Sequence, residues 1–344
     1  MLAKATPHME WWHRDHLFLF FGKSDHDQAI IGDHDQAIIT DHGRAIMTDH
    51  DGQEYPVHKL LKNQCPHWAN LPIKTILSSG TDNALFRLGS DYVVRLPRIE
   101  WAPGSINKSI NKEYEWIPKI AKLLKISVSE PVFKGNSEEF YPWFWTVTKW
   151  NEGHNPNFEE DKEYEPLAKD LALFLNELHE IKLANGPSSR RGIPLKAKEL
   201  DEETKKAIGE LEGEIDVQSL TSLWNQLSNI PYWNKEPVWV HGDFLPGNIL
   251  VQNNRLSAVI DFSDLGIGDP ACDLVIAWSL LNSHSRRIFR ENLQHIDADT
   301  WERGRGWALS IALIMLPYYK NSNPVLATLA RRMLEHVKGK TNDY

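Results

Sequence analysis

Two carboxylates and one carboxamide are gathered in the stretch Val240-His241-Gly242-Asp243-Phe244-Leu245-Pro246-Gly247-Asn248-Ile249-Leu250 and the shorter run Val259-Ile260-Asp261-Phe262. Aspartate oxygens can accept a proton or bind a hard cation, and an asparagine five residues on adds a neutral oxygen ligand. Taken singly, Asp243 and Asn248 read as ordinary turn formers and Asp261 as the end of a strand. The full set is harder to reach by chance. His241 precedes Asp243, the gap before Asp261 has the length of a hairpin, and Asp261 closes an apolar strand.

The elements that must position these groups can be read from periodicity. Strands are predicted at 238–240, 249–252 and 256–260, grouped as one hairpin unit that turns at Asn253-Asn254. Helical spacing of apolar residues surrounds it, over 167–183, 203–211, 220–227, 273–281, 301–315 and 326–337. Further upstream the pattern changes to a short helix at 57–64 and strands at 73–77, 83–88 and 92–96, with Gly89-Ser90-Asp91 as a tight hairpin turn. A helix is expected from about Ile110, with Glu113, Trp116, Ile117 and Ile120 on one side and Pro118 bending or restarting it. A last strand, 144–150, ends at Asn151-Glu152-Gly153, which reads as a hinge. Trp143, Trp145 and Trp150 flank that hinge, and strand-core packing accounts for them better than base stacking.

The remaining composition narrows the class. Of 344 residues, 41% are hydrophobic and 25% charged, the balance of a soluble globular protein. At roughly 100–200 residues per domain, two domains are expected. Residues 1–150 carry 18 acidic against 17 basic side chains, and residues 151–344 carry 29 against 21, so most of the net charge of −9 lies in the C-terminal part. An acidic field repels nucleic-acid backbones, although it is also an ordinary solubility device. No apolar run approaches the roughly 18 residues needed to cross a bilayer. Glu10, His13, Arg14, Asp15 and His16 stand where a signal peptide would be apolar. Cys65 and Cys272 show neither metal-type nor disulfide spacing and read as packed thiols. Together these features point to a cytoplasmic protein with no membrane or nucleic-acid partner.

Residues 1–55 differ from the rest. Asp25-His26-Asp27-Gln28-Ala29-Ile30-Ile31-Gly32 recurs as Asp33-His34-Asp35-Gln36-Ala37-Ile38-Ile39-Thr40, then more loosely. A period of eight matches no common solenoid, and so few copies cannot bury a stacked core. The near-identity of adjacent copies points to a recent tandem duplication forming a weakly extended appendage. Metal binding by the Asp-His pairs is the competing reading. A smaller duplication, Ser105-Ile106-Asn107-Lys108 and Ser109-Ile110-Asn111-Lys112, shows the same habit.

The His-x-Asp, Asn and Asp-Phe pattern resembles the catalytic and metal-binding loops of protein kinases, and its His-Gly-Asp form is similar to the aminoglycoside phosphotransferase family. The resemblance extends over about 56–337. It takes in Ser79-Gly80-Thr81-Asp82-Asn83, Val93-Val94-Arg95-Leu96, Lys112-Glu113 and the run Gly266-Ile267-Gly268-Asp269-Pro270 with Asp273-Leu274. It implies an α+β, protein-kinase-like two-lobed fold with a small β-rich N-lobe and a mainly helical C-lobe. Residues 1–55 would then be an appendage, 56–150 the nucleotide-binding lobe and 151–344 the catalytic and acceptor-binding lobe.

The implied activity is Mg2+-dependent transfer of the γ-phosphoryl group of ATP or GTP to a hydroxyl of a small molecule, with an antibiotic kinase as the default. By resemblance, Asp243 would hold and deprotonate the hydroxyl, His241 would brace the loop, and Asn248 and Asp261 would ligate magnesium. Ser79, Gly80 and Thr81 would cover the phosphates, and backbone groups of Lys149 to Asn151 would grip the purine. Arg95 stands where the resemblance expects a phosphate-binding lysine paired with a helix glutamate, here Glu113 in preference to Glu115, and Arg98 competes for its role. Ser263 replaces the usual glycine after Asp-Phe. Asp269 and Pro270 suit a helix start, and Asp273 would hydrogen-bond the catalytic loop. Trp278, His284, Glu291 and Tyr318 are candidates for an acceptor pocket. An aminoglycoside-like, cationic acceptor is favoured. A macrolide, a metabolic amino alcohol or sugar, and a non-catalytic nucleotide-binding module remain as alternatives.

Overall fold

The computed structural model describes residues 56–77, 82–100, 102–158 and 163–339, together with the backbone of residues 36–39 and 45–48. Within the repeat region, β1 (Gln36–Ile39) and β2 (Ala45–Thr48) pair antiparallel, Gln36 opposite Thr48 and Ile39 opposite Ala45. All of the Asp-His pairs lie outside the described residues.

A five-stranded antiparallel sheet follows. Helix α1 (Val57–Gln64) lays Val57, Leu60 and Leu61 against it, at the i, i+3, i+4 spacing of one helix face. The strands are β3 (Ile73–Ile76), β4 (Asn83–Leu88) and β5 (Tyr92–Pro97). After helix α2 (Ser105–Ile120) and the short β6 (Ser127–Val128) come β7 (Pro131–Gly135) and β8 (Trp145–Lys149). Their spatial order is β3-β4-β5-β8-β7. Phe86, Leu88, Val94, Trp145 and Val147 form its core under α1. Trp145 is fully buried there, as strand-core packing requires. Strand β7 carries no strong sequence signal because Pro131 and Gly135 bound it. Gly135 is required by packing, since a Cβ there would stand 1.9 Å from the Trp145 ring.

Helix α2 begins five residues before the predicted start, and Pro118 lies within its last turn without ending it. The tetrapeptide duplication explains the early start. Four residues are close to one helical turn, so Ile106 and Ile110 fall on the same face, and both are buried. The duplicated unit extends the helix without rotating its apolar stripe far from the core.

The second half is helical: α3 (Glu165–Glu180), α4 (Lys198–Glu210) and α5 (Val217–Ser228), then a β-rich insert, then α6 (Ile276–Ser279), α7 (Ser283–Asn292), α8 (Ala298–Tyr319) and α9 (Pro324–Lys338). Helix α8 is buried over nearly all of its 22 residues and is the axis of this lobe. It nevertheless carries Arg303 and Arg305. Arg303 is matched by Asp269 at 2.7 Å, and Arg305 donates to the Val337 carbonyl at the end of α9. Among the described residues no helix is long and apolar enough to cross a membrane. Cys65 and Cys272 are both buried and unbridged.

The insert differs from the predicted single hairpin unit. Strands β10 (Ile249–Gln252) and β11 (Arg255–Val259) do form a hairpin, with Asn253 and Asn254 at φ 53° and 59°, as a two-residue turn of matching twist demands. But β9 (Val238–Val240) pairs with β12 (Gly266–Gly268), which lacks a strand signature, while β11 pairs in parallel with β6. The predicted helix at 273–281 is a 3-10 turn, Pro270–Val275, running into α6. Helix α7 has no counterpart in the periodicity reading, because its ten residues are mostly polar.

Candidate active site

The loop between β9 and β10 carries His241, Gly242 and Asp243, and buried hydrogen bonds set its shape. Asp273, wholly buried, accepts from the His241 and Gly242 backbone N–H groups at 2.9 and 2.8 Å. Asp269 caps the 3-10 turn through the Ala271 N–H at 3.0 Å, so the run from Asp269 to Asp273 is a scaffold for this loop. His241 is fully buried. Its Nδ1 accepts from the Asp243 N–H at 3.2 Å, which leaves Nε2 to donate to the Ile260 carbonyl at 3.1 Å. Both ring nitrogens are thus hydrogen-bonded inside the protein, the arrangement of a side chain that braces the loop. Gly242 has φ +82°, and a Cβ there would stand 2.7 Å from the Asp264 carbonyl oxygen. That position admits only glycine.

Asp243 is about a quarter exposed. Its Oδ2 accepts from Asn248 Nδ2 at 2.8 Å, and the same amide nitrogen donates to the Asp243 carbonyl at 2.8 Å. Asn248 therefore has its amide oxygen left for a ligand. The Ile260 N–H donates to the Asn248 carbonyl at 2.9 Å, which brings Asn248 beside Asp261. Asp261 has φ +60°. Aspartate tolerates this left-handed conformation better than most side chains, and Ser263 is not among the positive-φ residues, so the turn does not need the glycine that Ser263 replaces.

From the sheet, Arg95 on β5 reaches Glu113 on α2 at 2.7 Å and Asp261 at 3.2 Å. Burial opposes its charge, but Glu113 and Asp261 outweigh that and raise its pKa. Glu115 is exposed and pairs with Lys119 instead. Ser109 and Lys112, on the same face of α2, donate to the Ser263 carbonyl at 3.2 and 2.6 Å. The helix and the Asp261 turn are thus held together across the cleft by side chains of the duplicated segment.

Two arginines absent from the sequence reading complete the site. Arg191 NH1 lies 3.4 Å from Asp243 Oδ1 and its Nε 3.7 Å from Asp264 Oδ2, while Arg190 Nε donates to Asp264 at 2.6 Å. Burial pushes the Asp243 carboxyl up, against the pull of Arg191. Asp264 is held down despite its burial, by Arg190, Arg191 and Lys112. Farther along α4, burial pushes Glu203 up to about 7, against Lys206 and Arg191. The four carboxylates Asp243, Asp261, Asp264 and Glu113 thus stand among four cations, Arg95, Lys112, Arg190 and Arg191. Among the described residues, cations and carboxylates around Asp243 are thus equal in number.

Other predicted site residues are distributed differently. Ser79, Gly80 and Thr81 lie outside the described residues. The Lys149 N–H donates to the Glu130 carbonyl and its side chain pairs with Glu130, so these groups already serve the sheet. The Trp150 N–H likewise donates to Asp91, and Asn151 Nδ2 turns back to the Lys149 carbonyl. Of the residues assigned to an acceptor pocket, Trp278 is buried in the core, and exposed His284 and Glu291 both interact with Arg287.

The oxygens of Asn248 and Asp261 are the hard donors that suit magnesium. Among the described residues no cluster of three or more His, Cys, Asp or Glu side chains could hold a metal, so a cation here would complete its shell with phosphate oxygens and water.

The profile of the phosphotransferase enzyme family, APH, matches residues 75–307. An aminoglycoside 3'-phosphotransferase of Salmonella typhimurium is 26% identical over 133 residues, 37% of this chain and 49% of that protein, so the chain spans about half the length of that curated relative. Among solved structures, the GDP and kanamycin complex of APH(2")-IIia is similar with a TM-score of 0.63 and 20% identity, over 82% of this chain and 98% of that one. The apoenzyme of macrolide 2'-phosphotransferase MphH from Brachybacterium faecium is similar with a TM-score of 0.54 and 19% identity, over 80% and 97%. At these identities the likeness concerns the fold, which is α+β, protein-kinase-like and two-lobed.

Proposed function

Because the chain belongs to the phosphotransferase enzyme family, we propose that it transfers the γ-phosphoryl group of ATP or GTP to a hydroxyl of a small molecule. The observation that carries this reading is the state of Asp243: Asn248 holds one carboxylate oxygen at 2.8 Å, and the other faces the cleft beside Arg191. Phosphoryl transfer needs a proton acceptor for the hydroxyl, cations for the triphosphate and an in-line arrangement. Asp243 Oδ1 would orient the hydroxyl and accept its proton. Asn248 and Asp261 would hold magnesium, which when bound neutralises phosphate charge. Arg95 would clamp the α and β phosphates while Glu113 keeps its fork in place.

Arg95 is directly testable. Arg95→Ala is expected to raise the nucleotide KM by roughly 10-fold or more, the value of one or two charge-assisted hydrogen bonds, and Arg95→Lys to recover part of it. Equal nucleotide KM in all three proteins would remove Arg95 from the nucleotide site.

For the acceptor, an aminoglycoside-like antibiotic stands first. Support comes from the aminoglycoside 3'-phosphotransferase relative and from the kanamycin complex of a structural neighbour. A macrolide is the second reading, favoured by the cations that stand beside Asp243 among the described residues and by the neighbouring macrolide 2'-phosphotransferase fold. The test is mass-spectrometric identification of products after incubation with aminoglycosides, macrolides and amino alcohols, each with ATP and with GTP. A phosphorylated aminoglycoside supports the first reading. A phosphorylated macrolide or amino alcohol alone would replace that acceptor and leave the transfer chemistry in place.

A further inference from the structure

Arg191 belongs to a loop whose construction fixes it in the cleft. Residues 187–192 are strapped to β12: the Ile267 N–H donates to the Pro187 carbonyl at 2.7 Å, Ser189 N–H to Ile267 at 3.1 Å, and Asp269 N–H to Gly192 at 3.1 Å. Ser189 Oγ adds a bond to the Asp264 carbonyl at 3.0 Å and accepts from the Arg191 N–H at 3.2 Å. Gly192 and Gly268 permit this close docking, because a Cβ on Gly268 would stand 2.5 Å from the Gly192 Cα. Arg190 turns to Asp264, and Arg191 enters the cleft with only 14% of its side chain exposed.

We propose that Arg191 is a catalytic residue whose guanidinium contacts the non-bridging oxygens of the phosphoryl group in flight. The inference rests on the phosphoryl-transfer reading above. Asn248 occupies Asp243 Oδ2, so the acceptor hydroxyl binds Oδ1, and Arg191 NH1 already stands 3.4 Å from that oxygen. A near-attack phosphorus lies about 3–3.5 Å beyond the hydroxyl oxygen. A guanidinium that shares Oδ1 is therefore within reach of the phosphoryl oxygens. In the step itself, the bond from acceptor oxygen to γ-phosphorus forms as the bond from γ-phosphorus to the β–γ bridging oxygen breaks. The nucleoside diphosphate leaves, and the hydroxyl proton passes to Asp243. Arg191 exchanges no atoms. It balances charge on the three equatorial oxygens while one axial bond forms and the other breaks, and its planar fork suits that geometry.

The test uses water as acceptor and ADP with aluminium fluoride as a mimic of the group in flight. In Arg191→Gln, kcat for nucleotide hydrolysis is expected to fall about 10²- to 10³-fold with the nucleotide KM within about twofold. The wild-type protein should bind ADP more tightly when aluminium fluoride is present, and the variant should lose that gain while binding ADP alone normally, which also shows that it is folded. Arg191→Lys should fall between the two, and it carries the test should the glutamine variant fail to fold. Parity of both variants with the wild type in kcat and in the fluoride-dependent gain would overturn the role of Arg191 and leave the phosphoryl-transfer reading standing. A wild-type protein that binds neither ATP nor GTP would overturn both.

Discussion

Asp243→Asn is expected to lower phosphoryl transfer by about 10²-fold or more at saturating acceptor, with nucleotide affinity close to that of the wild type. The substitution keeps the side chain's shape. Its amide oxygen can still accept from Asn248 Nδ2, which now donates to Oδ2 at 2.8 Å. The amide NH2 then occupies the Oδ1 position, where it meets the Arg191 guanidinium and offers a donor to an incoming hydroxyl that needs an acceptor. The hydroxyl loses both its orientation and the destination of its proton. Nucleotide binding should survive, because Arg95, Glu113 and Asp261 form their own contacts on the other side of the cleft. Steady-state turnover beside nucleotide titration separates the two effects, and unchanged turnover would dismiss Asp243 as the proton acceptor.

As proton acceptor, the same group would set the direction of the acid limb of the wild-type pH profile. Burial lifts the Asp243 carboxyl above the ordinary aspartate value of about 3.9, with Arg191 opposing. Activity that needs the carboxylate therefore appears as pH rises through this elevated value and disappears below it.

How far the site was legible depended on whether each contact is local or assembled by the fold. His241, Asp243, Asn248 and Asp261 sit in or beside one hairpin, and the Asn253-Asn254 turn fixes the register that joins them. The Arg95 and Glu113 pairing was expected from the resemblance, with Arg98 and Glu115 as competitors, and the fold selects it by bringing β5 against α2. Arg190 and Arg191 left no such mark. They lie between elements, after Gly186-Pro187-Ser188-Ser189, and acquire meaning only when β12 receives their loop. The one available signal was glycine: Gly192, Gly266 and Gly268 all need close backbone approach, which hints that chain segments distant in sequence meet there. Net charge is a coarse guide for a related reason. Summing over half the chain gave a net negative lobe, but electrostatics at Asp243 is decided within a few ångströms, where among the described residues cations from β5, α2 and the 187–192 loop stand beside the carboxylates.

Asp261→Asn is expected to abolish the magnesium dependence of nucleotide binding and to reduce turnover by about 10³-fold or more, since a charged phosphate-bridging ligand is replaced by a neutral one. Asparagine is the informative choice. At φ +60° an alanine would add backbone strain, of order 1 kcal/mol, to the loss of a ligand, whereas asparagine accepts the left-handed conformation nearly as well as aspartate. The fold should then be preserved: Glu113 still holds Arg95 at 2.7 Å, and Lys112 still reaches the Ser263 carbonyl. Removing one carboxylate leaves Arg95 with a single anionic partner, so its guanidinium is freer to follow the phosphates. Some magnesium-independent nucleotide affinity should therefore remain in Asp261→Asn and disappear when Arg95→Ala is added. Nucleotide titrations across a magnesium series, with melting temperature as the folding control, measure each part. A variant that keeps the wild-type magnesium response would exclude Asp261 as a ligand. Loss of all nucleotide affinity in the single variant would instead show that Arg95 cannot hold the phosphates without Asp261.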